Sequence, residues 1–252
     1  MQKTVKSGDI REMGKTATVG IDEVGRAAPK WRASPVSLVG IDEVGRGPLA
    51  GPVTVAAVTA SARFWRSAKR VGVPLRDSKQ LSARQRETWL RHMRTEAARG
   101  TVRYALASVY PKTIDRVNIT QAANLAATRA FARLAVRHKL SLAHTRVLLD
   151  GGLYLRESAL FRLGYGRTPK TIVKGDERFP PIMLASIVAK VTRDRAMVRL
   201  HRRFPVYGFD EHKGYGTKRH IRAIKKHGSS EAHRLTFIGF LKDRKPKAQR
   251  FL

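Results

Sequence analysis

The chain has 252 residues, is 42% hydrophobic, and carries 51 lysines and arginines against 19 acids, for a formal charge of +32. That length and apolar content support a buried core in one large domain, and the charge points to a polyanionic partner held through salt-sensitive contacts. The absence of cysteine removes disulfides, thiolate metal sites and thiol nucleophiles, no stretch approaches the roughly 18 apolar residues of a membrane span, and the opening residues lack the apolar centre of a signal peptide, so a soluble, cytoplasmic protein without a membrane partner is expected.

Residues 1–37 are polar, contain Pro29 and Pro35, and show no sustained periodicity, so they are read as a flexible basic extension. They carry the octapeptide VGIDEVGR at 19–26, which recurs at 39–46. From 38 to 252 a single domain is expected, with a helical C-terminal segment from about 200. LVGID reads as a short strand, GRGPLAGP as a turn and VTVAAVTA as a β-branched partner strand. After a basic connection, Ser82 followed by Gln85 marks a capping box, and Gly100 a stop, for a helix over about 83–99. TVRYALASVY alternates as a third strand, and an Ala-rich helical region follows Pro111 and ends near His138. HTRVLLDGG and KTIVKGD read as strands that each end on an acid. Apolar residues at 184, 187, 188, 191 and 198 then describe one face of a long helix. Close-coupled strands followed by strands separated by helices predict an α/β fold, a mixed sheet flanked by helices.

Acids are scarce in this chain, so their placement at strand ends is informative. Asp42 and Glu43 end the first strand, Asp150 the LLD strand and Asp176 the IVKG strand. Strand ends border the ligand crevice of an open α/β sheet, and carboxylates gathered there repel one another unless cations neutralise them. Oxygen-only ligands suit Mg²⁺ or Mn²⁺; two such ions roughly 3.5–4 Å apart can activate water and stabilise the leaving oxygen in phosphodiester hydrolysis. A single acid at a strand end more often caps a turn or makes a surface ion pair, so the motifs around these acids carry the decision.

LVGIDEVGRGPLAGPVTVAAV at 38–58, DSKQLS at 77–82, LLDGG at 148–152, VKGDERFPPIMLASIVAKVTRDR at 173–195 and HKGYGTKRH at 212–220 together closely resemble the ribonuclease HII family, in the family's order, from about 38 to 240. The resemblance implies a ribonuclease H-like mixed five-stranded sheet with a C-terminal helical part. It implies hydrolysis of the RNA strand of RNA–DNA hybrids, and cutting 5′ of single ribonucleotides embedded in duplex DNA, using two Mg²⁺ or Mn²⁺ ions. It makes Asp42, Glu43, Asp150 and Asp176 the metal-binding, catalytic carboxylates. Asp194, between Arg193 and Arg195 on a predicted helix, is left out as an ion-pair or helix-surface acid.

The 2′-hydroxyl distinguishes RNA from DNA, and only close donors and acceptors can read it. Gly45, Arg46 and Gly47 follow the acidic pair, so backbone unshielded by a Cβ can approach the sugar and phosphate; the resemblance assigns this turn to the ribonucleotide and has Tyr215 stack on the neighbouring deoxyribose. Ser78 and Lys79, just before a helix start, combine hydroxyl, ammonium and free N–H groups suited to phosphate. Lys190 is either a phosphate contact or a solvated lysine; His212 and His220 are either substrate contacts or surface histidines.

Two other readings are open on residues alone: a noncatalytic basic nucleic-acid-binding protein, or another metal nuclease on the same fold, such as a resolvase or transposase catalytic domain. The GRGPLAGP and KGYGT segments argue against the second. The first VGIDEVGR copy has Ala27 where the second has Gly47, then Pro29 and no β-branched run, and only one Asp150 and Asp176 exist to complete a site. Asp22 and Glu23 are therefore expected to hold no metal. A monomer is expected.

Overall fold

In the computed structural model, which describes residues 37–241, Ser37–Val44 (β1) forms the centre of a five-stranded mixed sheet. Val53–Ala60 (β2) pairs with it antiparallel and Val102–Val109 (β3) extends that side. On the other side Thr145–Asp150 (β4) pairs with β1 in parallel, and the short Lys170–Ile172 (β5) closes the edge. The helices are Ala62–Ala68 (α1), Ala83–Ala98 (α2), Pro111–Val117 (α3), Ile119–Arg137 (α4), Glu157–Arg162 (α5), Gly175–Arg178 (α6), Pro180–Arg203 (α7), Phe209–His212 (α8) and Lys218–His227 (α9). The fold is the expected α/β class, a mixed sheet with helices on both faces. No described helix is long and apolar enough to cross a membrane.

Alternation along β1 decides which helix covers which face. Val39 and Ile41 point into one core with Val147 and Leu149 of β4 and with Ala126, Phe131 and Leu134 of α4. The opposite face packs Ala56 and Val58 of β2 against Leu184, Ile187 and Val188 of α7 and Trp89 and Met93 of α2. Each such large apolar side chain contributes roughly 1.5–3 kcal/mol on full burial. Gly40 is what lets α7 lie so close to β1: a Cβ there would sit 2.3 Å from the carbonyl carbon of Pro181. A third core joins Met197, Tyr207, Phe209, Ile224 and Ile238 to Ala50, so the described C-terminal helices dock on the loop that follows β1.

Several expectations need adjustment. The capping box at Ser82 and Gln85 is formed, and α2 stops before Gly100, whose φ is +70°. The Ala-rich region is two helices, because Asn118 takes φ +64° and caps α4 by accepting the Gln121 N–H. The basic connection after β2 contains α1, capped by Ser61. β1 starts at Ser37, one residue inside the segment read as extension. Asp176 does not end a strand: β5 stops at Ile172, Lys174 adopts φ +55°, and the acid lies in the helical turn α6. The remainder of the N-terminal extension, with Asp22 and Glu23, lies outside the described residues.

Candidate active site

Register brings the first two acids together. β1 and β4 run parallel with Ile41 opposite Leu149, so Asp42 and Asp150, the next residue on each strand, emerge side by side. Glu43 follows Asp42, and one carboxylate oxygen from each of Asp42, Glu43 and Asp150 lies within 4.8 Å of the other two. Asp176 joins through backbone: Asp150 Oδ1 accepts the N–H groups of Gly175 at 2.7 Å and Asp176 at 3.4 Å. Asp42 Oδ1 accepts the Glu43 N–H at 2.7 Å.

Asp42 and Asp176 are buried and Glu43 and Asp150 half-buried, and the titration of the cluster reflects that. Burial first, then the Glu43 and Asp150 charges, push Asp42 well above the ordinary carboxylate range. Burial likewise lifts Glu43 to about 7, against the pull of Arg46, whose Nη1 donates to Glu43 Oε1 at 3.2 Å. Asp150 is raised by burial and by the neighbouring Asp176. The other Glu43 oxygen, Oε2, is buried and has no hydrogen-bond partner. A buried anionic oxygen without a donor is costly. An all-oxygen donor set with such an orphan fits a hard divalent cation.

The turn after β1 lies beside these acids. Gly45 has φ +96°, and Arg46 Nη2 reaches the Gly152 carbonyl at 3.5 Å. Tyr215 is 46% exposed, with its ring alongside the turn: a Cβ on Gly47 would lie 3.9 Å from the tyrosine Cε1. Lys79 extends its ammonium to Asp176 Oδ2 at 3.3 Å. Ser78 is buried, and the free N–H groups expected at 78 and 79 are both engaged, the first by Ser186 Oγ at 3.3 Å and the second by Asp77 Oδ1 at 3.1 Å. Lys190 is neither solvated nor free, since it pairs with Asp194 at 2.8 Å. His220 is fully buried, so it is not a surface residue. His212 stacks on it with ring centroids 4.4 Å apart.

Two further residues escaped the reading of residues in order. Arg193 and Arg234 are fully buried, and their guanidinium groups hold the turn from within the protein. Arg193 donates to the carbonyls of Pro52 (2.9 Å), Lys213 (3.0 Å) and Ala50 (3.2 Å). Arg234 donates to those of Gly45 (2.6 Å), Arg46 (2.8 Å) and Gly51 (3.0 and 3.1 Å). Burial, then the proximity of Arg193, brings Arg234 down to about 9, so it still carries its proton at neutral pH. Carbonyls of the turn are thus occupied on the protein side. Arg193 lies one helical turn before buried Met197, the one hint of burial available in sequence.

Residues 39–239 match the family model described as Ribonuclease HII. Curated relatives named Ribonuclease HII include one from Burkholderia thailandensis, 43% identical over 76% of this chain and 78% of its own length. Another, from Bacillus cereus, is 40% identical over 90% of this chain and 71% of its own. Among solved structures, RNase HII from Archaeoglobus fulgidus, determined in complex with PCNA, aligns with a TM-score of 0.59 at 26% identity, covering 86% of this chain and all of that one. Ribonuclease H2 from Pyrococcus horikoshii OT3 aligns with a TM-score of 0.58 at 24% identity over 79% of this chain and 93% of its own, a likeness of fold.

Proposed function

The chain belongs to the ribonuclease HII family and is a type II ribonuclease H, a hydrolase; from that premise we propose that it hydrolyses the RNA strand of RNA–DNA hybrids and cuts 5′ of single ribonucleotides embedded in duplex DNA, with two divalent ions. The observation that carries the reading is the convergence of Asp42, Glu43 and Asp150 within 4.8 Å beside a glycine turn faced by an exposed tyrosine. Asp42, Glu43, Asp150 and Asp176 would hold Mg²⁺ or Mn²⁺, which when bound activates a water and neutralises charge at the scissile phosphate.

The remaining chemistry falls to the chain's own groups. Gly47 is exposed and offers backbone that can approach a ribose and its 2′-hydroxyl, Gly45, buried with φ +96°, shapes the turn that presents it, and Arg46 offers a guanidinium to the adjoining phosphate. Tyr215 presents an apolar face to the next sugar, where a ribose hydroxyl would be left without a partner and a deoxyribose would not. Lys79 can exchange its contact with Asp176 for a phosphate of the same strand, with Ser78 holding the turn behind it. The basic surface steers the duplex and keeps it bound.

The test is cleavage of a labelled DNA duplex holding one ribonucleotide, at low salt, with and without Mg²⁺ or Mn²⁺. A single cut on the 5′ side of the ribonucleotide, leaving a 5′-phosphate on the ribonucleotide and requiring the ion, is expected. No cut there under either ion sinks the proposal.

A further inference from the structure

In the loop Lys213–Tyr215 the three carbonyls and the N–H groups of Gly214 and Tyr215 are all engaged by the protein. Lys213 O accepts from Arg193, Gly214 N–H donates to His212 Nδ1 at 3.2 Å, and Gly214 O accepts from the Leu49 N–H at 2.8 Å. Tyr215 N–H donates to His212 O at 3.0 Å, and Tyr215 O accepts from the Thr217 N–H at 2.8 Å. The same Tyr215 carbonyl is met by His220 Nδ1 at 2.9 Å.

That last contact sets a chain of consequences. A carbonyl oxygen only accepts, so the proton of His220 sits on Nδ1, and in the neutral ring Nε2 is an acceptor. His220 Nε2 faces His233 Nε2 at 3.1 Å, so His233 must carry its proton on Nε2 and donate it. His233 Nδ1 is then an acceptor, and it receives the Ser230 N–H at 3.0 Å with the Ser230 hydroxyl also at 3.0 Å. All four ring nitrogens are used, in one direction, from Ser230 to Tyr215. Burial pushes both rings down to about 4, in keeping with neutral imidazoles. Tyr207 packs edge-on to His233 at 4.6 Å, and Phe209 lies edge-on to His220 at 5.5 Å, so neither ring has room to turn freely.

We infer that His220 and His233 are positioning residues for strand-junction selectivity: their one-way relay from Ser230 fixes the Tyr215 carbonyl, and with it the tyrosine ring, over the Gly45–Gly47 turn. The inference rests on the proposed role of Tyr215. A ring displaced by a fraction of an ångström still allows cleavage of a continuous hybrid, but it discriminates less between ribose and deoxyribose on the side it faces.

Two readouts test it. Two-bond proton–nitrogen correlation on histidine-labelled protein near pH 7 should find His220 protonated on Nδ1, the less common tautomer of free histidine, and His233 on Nε2. In kinetics, His233→Phe should lower the preference for a DNA-flanked ribonucleotide over a continuous RNA strand by about three- to tenfold, the effect of losing one net hydrogen bond, and His233→Gln, which keeps an N–H donor, should restore most of it. His220 protonated on Nε2 overturns the relay. An altered preference in Tyr215→Ala with an unaltered one in a folded His233→Phe overturns the inference alone; an unaltered preference in Tyr215→Ala overturns the reading of Tyr215 and the inference with it.

Discussion

Arg193 fills the space that a side chain on Gly45 would need: a Cβ there would lie 2.1 Å from the arginine Nε. The strand end that carries Asp42 and Glu43 therefore continues into a turn whose shape is set by a guanidinium from α7. Gly45→Ala should destabilise the fold by on the order of 2–3 kcal/mol, from the positive φ together with the clash. Arg193→Met should cost about 3 kcal/mol or more, because the carbonyls of Ala50, Pro52 and Lys213 lose their donor. Arg193→Lys should recover little, as an ammonium does not reproduce the planar fork. Urea unfolding checks all three, and a midpoint unchanged in Arg193→Met would refute the account.

Asp150→Asn keeps an oxygen for the Gly175 N–H but removes a charge from the carboxylate group. Cleavage should fall by more than about 100-fold, while affinity for a hybrid at fixed salt, and its salt dependence, stay close to the parent's, because phosphate contacts dominate binding. Equal loss of binding and cleavage would mean that the acid supports the fold rather than the reaction.

Glu43 links catalysis to stability through pH. Its carboxyl is raised from about 4.5 unfolded to about 7 folded, so its contribution to stability is fully present below about pH 4.5 and is lost as pH rises through about 7. Without divalent ions, Glu43→Gln should therefore be more stable than the parent above pH 7, by roughly 1–3 kcal/mol, with the gap closing toward pH 4.5. Mg²⁺ should shrink the gap at neutral pH by stabilising the parent more than the variant. Thermal melts across pH, with chelator and with Mg²⁺, measure this, and a gap that widens on acidification would reverse the sign.

The first VGIDEVGR copy makes a sharp comparison. Replacing Asp22 and Glu23 with Ala should leave cleavage within about twofold of the parent, since Ala27 stands in that copy where the other has Gly47 and no β-branched run follows. Asp42→Ala should abolish activity. A loss in the double variant matching that of Asp42→Ala would exchange the roles of the two octapeptides.

Much of the site was legible because local chemistry is written in order along the chain. The alternation of TVRYALASVY, the Ser82–Gln85 capping box and the glycine turn behind Asp42 and Glu43 are short-range patterns, and they appear in the fold as expected. Asp176 was singled out by its motif, but the strand expected to end on it does not reach it. A left-handed lysine at 174 turned what read as a strand end into a helical turn, and propensity gives no warning of φ +55° at that residue.

Composition alone pointed to a partner of opposite charge, and the ordered motifs were enough to name the family; the preference for the second octapeptide rests on sequence as well, because GPLAGPV continues that copy and AAPKWRA the first. Only the tertiary structure could decide what lies beneath the turn. Arg193 and Arg234 read as two more cations among 51, and His220 as either a substrate contact or a surface histidine. All three are fully buried. The reason is physical: a buried polar side chain is tolerated when its partners are backbone carbonyls, and carbonyls are present at every residue, so no letter in the sequence announces where they will converge.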